Sequence, residues 1–109
     1  MRKIIVICSL AAVTLFNGCA KNPVSGKKEI VLMSEEQELA MGKEADPQII
    51  AEFGLYEDKA LQDYLSQVGA KIVSVSHRKN ISYHFRLLDA ELINAFALPG
   101  GYVYFTRGI

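Results

Sequence analysis

An α+β fold, two helices followed by a small sheet with a hairpin, is what the 109 residues predict. Three patterns carry that expectation. Leu61, Leu65, Val68, Ile72 and Val75 recur at steps of four and three, the period of a helix with one apolar stripe. "SYHFRLL" (Ser82 to Leu88) alternates, with Tyr83, Phe85 and Leu87 on one side and Ser82, His84 and Arg86 on the other, as a strand with one buried face does. Finally, "INAFAL", "PGG" and "YVYFTR" set a tight turn between two β-type segments. A chain of this length holds one domain at most.

The elements follow in order. "MRKIIVICSLAAVTLFNGC" opens with Arg2 and Lys3 and continues in an apolar run from Ile4 to Phe16. That run is shorter than the roughly 20 residues a membrane-spanning helix needs. Its basic start and length are those of a secretory signal, residues 1–18. A core helix is the alternative, but a helix apolar all round directly after Met-Arg-Lys does not suit it. "LFNGC" resembles a bacterial lipobox, with Gly18 before the bond to be cut and Cys19 as the lipidated residue. Phe16 stands where Leu is commonest. Ordinary cleavage leaving a free thiol is the alternative; lipidation is favoured, since several acyl chains anchor lastingly where one does not. Ala20 after the cysteine resembles the sorting pattern of outer-membrane lipoproteins. Cys8 is lost with the signal, so no internal disulfide is available.

Residues 19–33 read as a lipid-anchored tether, because "KNPVSGKK" has turn-forming residues and no apolar period. Residues 34–109 read as the folded part. Ser34 and Gln37 form a capping box, and Glu35 and Glu36 suit the positive end of a helix. This helix should reach about Ala45. Pro47 then either ends it or kinks it, with "QIIAEFG" as a further helical piece stopping at Gly54. Asp58 is the N-cap of the second helix, and Gly69 inside it points to close packing, since it costs about 1 kcal/mol against Ala. The second helix has mixed charges on its polar face, so its stripe is expected to face the core and not a membrane. Pro99 and Gly100 fit the central positions of a type II turn.

Catalytic constellations are scarce. There is no phosphate-binding glycine loop and no nucleophile elbow. His77 and His84 lie seven apart with a helix end expected between them, not at the i, i+4 spacing of a zinc helix. They are read as a helix-end residue and an exposed strand residue. The formal net charge is 0, turning slightly acidic once Arg2 and Lys3 are removed, and no basic patch stands out, so nucleic acid is not an expected partner.

"NPVSGKKEIVLMSEEQELAMGKEADPQI", "SHR" and "LDAELINAFALPGGYVYFTRGI" together resemble the N-terminal half of a zinc metallopeptidase of the gluzincin group. That group includes HtpX and the CAAX prenyl-protein endopeptidases, and the resemblance is greatest to its Gram-negative lipoprotein branch. It spans nearly all of Asn22 to Ile109, and Asn94 to Gly108 is its most specific piece. The resemblance implies a zincin-like domain of which residues 34–109 are the incomplete N-terminal part. It implies a zinc cofactor in the full-length protein, a peptide or unfolded protein as substrate, and a place on the periplasmic side of the outer membrane, held through the lipid anchor. It also implies that Asn94, Ala95, Phe96 and Ala97 line the substrate cleft, Asn94 steadying a substrate carbonyl. From the residues alone, Ala95 and Phe96 read only as buried sheet residues and Asn94 as a turn polar group; the resemblance puts the cleft reading on an equal footing. The HExxH helix and later glutamate of the group occur nowhere in the sequence. This chain by itself is therefore expected to bind no zinc and hydrolyse nothing. Without a covering zinc helix, "YVYF" is expected as an exposed apolar edge. The other reading is a small non-catalytic outer-membrane lipoprotein serving as a binding or assembly module.

Overall fold

The computed structural model describes residues 19–22, 24–26, 28–30 and 32–109. The signal assigned to residues 1–18 lies outside them. The chain divides into two compact units at Met33 and Ser34.

In the first unit, strands β1 (Cys19–Lys21) and β2 (Lys28–Ile30) pair antiparallel, with Cys19 opposite Ile30 and Lys21 opposite Lys28. The stretch read as a tether thus contains the turn of a hairpin. Asn22 explains it: its side-chain oxygen accepts from the backbone N–H of Val24 and Ser25 at 2.8 and 3.2 Å. Its carbonyl accepts from Gly26 N–H at 2.8 Å. Such local bonds are how asparagine favours turns.

The second unit is the α+β arrangement: helix α1 (Glu35–Phe53), helix α2 (Lys59–Ser74), then strands β3 (His84–Leu88), β4 (Ala95–Leu98) and β5 (Tyr102–Thr106). The capping box at Ser34 and Gln37 is formed in both directions. Pro47 does not end α1, which runs on to Phe53 and stops at Gly54. Proline removes one backbone donor; a helix held from both sides of that point tolerates the loss. Gly42 upstream lies against Tyr102, Asp46 is bonded to Arg86 and Tyr104, and Ile49 and Phe53 pack on the core downstream.

The sheet is mixed, in the order β3-β5-β4. β3 runs parallel to β5, with Arg86 opposite Tyr104; β4 runs antiparallel to β5, with Phe96 opposite Tyr104. The "YVYF" segment is therefore in the central strand, not at an edge. Tyr102 and Tyr104 are buried and Val103 and Phe105 half-buried. Hydrogen bonding on both sides of β5 makes β3 and β4 the edges.

Strand alternation assigns the faces. Tyr102, Tyr104 and Thr106 share one with His84, Arg86, Leu88, Phe96 and Leu98, and α1 covers it. Phe85 lies on the other, where α2 packs so closely that a Cβ on Gly69 would come within 2.3 Å of the Phe85 ring. Gly69 is a close-approach glycine, as its place in the helix suggested. β3 consequently has both faces covered rather than one.

The predicted stripe of α2 is rotated from the observed contact face. Gln62, Leu65, Val68, Gly69 and Val73 turn inward, whereas Leu61, Ile72 and Val75 are 43%, 62% and 81% exposed. The inward face is set by two polar or small residues, Gln62 and Gly69, that an apolar count passes over. No helix among the described residues is long and apolar enough to cross a membrane.

Candidate functional site

The hairpin β4–β5 presents the candidate site. Gly100, with φ 91°, makes the turn after Pro99 in the left-handed region that type II turns require. A Cβ there would meet the Glu38 carbonyl at 2.7 Å, so glycine also lets the turn dock on α1.

Thr106 fixes the start of β4. It is fully buried, and its hydroxyl reaches the carbonyls of Leu92 (2.5 Å) and Asn94 (3.0 Å) and accepts from Asn94 N–H (3.0 Å). Thr106 N–H also donates to the Asn94 carbonyl at 3.0 Å. That bond sets the phase of the antiparallel ladder. Phe96 and Leu98 bond inward to β5, and the N–H and C=O of Ala95 and Ala97 point out along an edge that is unpaired among the described residues.

The four predicted cleft residues thus divide. Ala95 and Ala97 are exposed with outward backbone groups. Asn94 is exposed, its backbone is clamped by Thr106, and its side chain makes no hydrogen bond among the described residues. Phe96 turns into the core instead. Its ring stacks on Tyr104 at 4.9 Å and meets Phe53 at 6.1 Å.

Beneath Phe96 lies a polar cluster absent from the sequence reading. Asp46, 8% exposed, accepts from Arg86 Nε (2.7 Å) and Nη2 (2.6 Å) and from the Tyr104 hydroxyl (2.8 Å). Burial pushes the Asp46 carboxyl up, but the hydrogen bonds from Arg86 and Tyr104 and the Arg86 charge outweigh it and hold the carboxyl below its ordinary value. The bond to Asp46 raises Arg86. Burial and then the carboxylate raise the Tyr104 phenol. All three groups keep their usual charge at neutral pH. The partners lie 40 and 58 positions apart, so no local spacing could have disclosed them.

Neither histidine caps a helix. His84 stacks on Tyr102 at 4.5 Å, on the α1 face and not exposed. His77 is exposed, and the end of α2 is tied instead by the Val75 N–H and the Ser76 hydroxyl, both reaching back to helix carbonyls. Among the described residues no three His, Cys, Asp or Glu side chains converge to hold a metal. The described residues do not fit a zinc site.

An α+β scaffold with an antiparallel edge strand unpaired among the described residues, and a docked hairpin turn, is the class of site these residues define. No family model matches the chain. It is 33% identical over 81 residues to the beta-barrel assembly-enhancing protease of Yersinia pestis, covering 74% of this chain and 17% of that protein. The Escherichia coli (strain K12) protein of the same name is 34% identical over 71 residues, 65% of this chain and 15% of the relative. The mitochondrial metalloendopeptidase OMA1 of Schizosaccharomyces pombe is 28% identical over 93 residues, 80% of this chain and 27% of the relative. The chain is thus related to metallopeptidases, and it spans only 15% to 27% of the length of these relatives.

Proposed function

We propose that residues 34–109 are the N-terminal part of a zinc metalloendopeptidase domain of the HtpX and CAAX-endopeptidase type. Its zinc-binding HExxH helix and later glutamate lie outside these 109 residues. The observation that carries the reading is β4. It is an edge strand whose Ala95 and Ala97 backbone groups face outward, in the segment where the family resemblance is most specific. Such an edge takes an extended peptide as an added strand, main-chain bonds holding it and alternate side chains selecting it. Asn94, freed at its side chain and clamped at its backbone, would donate to a carbonyl of that peptide. Phe96 would act from below by anchoring the strand. Residues of the domain outside these 109 would hold the zinc, which when bound would supply activation of water for peptide-bond hydrolysis.

The same reading has Cys19 lipidated and residues 19–33 as the lipid-anchored tether, on the periplasmic side of the outer membrane. The substrate is an extended peptide or unfolded protein.

Reading the gene beyond codon 109 and assaying the encoded protein on an unfolded substrate tests the enzyme. An in-frame HExxH with chelator-sensitive cleavage is the expected result. A stop codon directly after Ile109, present in the transcript, would refute the enzyme reading for this chain. Mass spectrometry of the membrane-extracted protein tests the anchor, which requires acyl mass on the peptide beginning at Cys19.

A further inference from the structure

The edge of the sheet opposite β4 carries a second groove, independent of the peptidase assignment. Four consecutive residues, Tyr83 to Arg86, line a cavity of about 510 Å³. Consecutive strand residues point to opposite faces, so a cavity touching all four runs along the strand's edge. Its other wall is a stripe of α2: Ser66, Ala70, Val73 and Ser74. Lys79 and Ile81 close one end.

The phase of the β3–β5 ladder fixes which groups face this groove. His84 N–H donates to the Gly101 carbonyl, and the Leu88 carbonyl accepts from Arg107 N–H. The even-numbered residues of β3 therefore bond inward, and Phe85 and Leu87 bond outward. At Leu87 the outward groups are taken. Gln62 accepts from Leu87 N–H and donates to its carbonyl, both at 2.9 Å, and Tyr56 N–H donates to the same carbonyl at 3.0 Å. Gly54 accepts from Asp89 N–H at 2.9 Å, and Leu55 bridges Leu88 antiparallel. Residues 54–56 thus occupy the second half of this edge as an added strand would. At Phe85 the N–H and C=O have no partner among the described residues.

Charge selects the occupant. Lys79 and Arg86 are the basic residues of the groove besides His84, whose ring turns to the α1 face, and no aspartate or glutamate lines it. Arg86 is neutralised by Asp46 on the α1 face. Lys79 is exposed and in no ion pair among the described residues.

We propose that this groove is a docking site for a short, extended, acidic peptide segment, which adds to β3 at Phe85 and places a carboxylate near Lys79. Gln62 and residues 54–56 block the strand ahead, so only about four residues of the segment pair, roughly 13 Å of chain. The site lies on the opposite edge of the sheet from Ala95 and Ala97, so both edges can be filled at once.

The test uses the full 109-residue chain and blocked hexapeptides of alternating glutamate and valine or lysine and valine. Isothermal titration gives affinity, and amide exchange followed by NMR gives the place. The Glu-Val peptide should bind about two- to fivefold tighter than Lys-Val, the effect of one exposed charge pair, and should protect the Phe85 amide. Lys79→Glu, at an exposed position, should reverse the preference. N-methylating the peptide's pairing residues leaves the protein untouched and should abolish protection. Equal affinity for the two peptides, or protection at Ala95 and Ala97 without Phe85, would overturn the proposal. So would Phe85 protection that grows with protein concentration in the absence of peptide, which would assign the edge to a second copy of the chain.

Discussion

Replacing Asp46 with asparagine probes the joint between α1 and the sheet. The amide oxygen still accepts from Tyr104 and from Arg86 Nε, but its NH2 faces Arg86 Nη2, where the carboxylate accepted at 2.6 Å. One bond to a charged group is lost, about 1.5–3 kcal/mol. The guanidinium also loses its counter-charge; full burial would make such a loss about 3–5 kcal/mol. The Arg86 side chain is 28% exposed, so water relieves part of that penalty. The expected net loss is about 2–4 kcal/mol, a large share of the roughly 5–15 kcal/mol typical of folded domains. The pH dependence isolates the charge. Because the folded carboxyl is held below its ordinary value, its contribution is complete above the unfolded pKa, about 3.9, and is lost as pH falls through the lower folded value. Urea unfolding followed by circular dichroism should show the wild-type advantage in full at pH 7 and closing below about pH 4. An advantage of the same size at pH 2.5 as at pH 7 would refute the ion-pair account and leave only a packing difference.

Gly69→Ala should lower stability by about 1–3 kcal/mol through overpacking on Phe85, despite alanine's better helix propensity; Phe85→Leu in the same chain should recover part of it, by the same unfolding assay. Gln62→Ala removes the side chain that bonds Leu87 and Tyr56, and should cost about 1–3 kcal/mol while speeding exchange of the Leu87 amide. Ala97→Pro deletes an outward N–H without touching the β5 ladder; it should leave the urea midpoint nearly unchanged while weakening protection of the Ala95 amide by an added peptide strand. Zinc added to the chain should not raise its unfolding temperature, because a ligand stabilises only what it binds.

What the sequence made legible was local. The capping box at Ser34, the cap at Asp58, the turn at Pro99-Gly100 and the period of the strands each depend on residues within four positions of one another. What stayed hidden depends on contacts across the fold. The face that α2 turns inward is chosen by Gln62 reaching Leu87 and by Gly69 admitting Phe85, so Leu61, Ile72 and Val75 stay outside although they complete the apolar stripe. Pro47 lies in a helix held by tertiary contacts on both sides, which the loss of a single backbone bond does not overcome. At the candidate site, the resemblance laid Asn94 to Ala97 along a cleft, but ladder phase decides which of them face out. That phase is set by Thr106, twelve positions away.

The two halves of the second unit meet in one chain of contacts, and it ends at the edge. Asp46 orients the Tyr104 hydroxyl; the Tyr104 ring carries Phe96; Phe96, anchored also by Phe53, holds β4 from the side that α1 covers. Ala95 and Ala97 on the opposite side are small and exposed, so nothing of their own anchors them. Their outward backbone groups keep their positions because alternate residues are fixed from beneath and Thr106 clamps the strand at Asn94. An edge built this way is rigid without being blocked, which is the property a peptide-pairing strand requires. It follows that damage at Asp46, on another element, should loosen the Ala95 and Ala97 amides before it unfolds the chain.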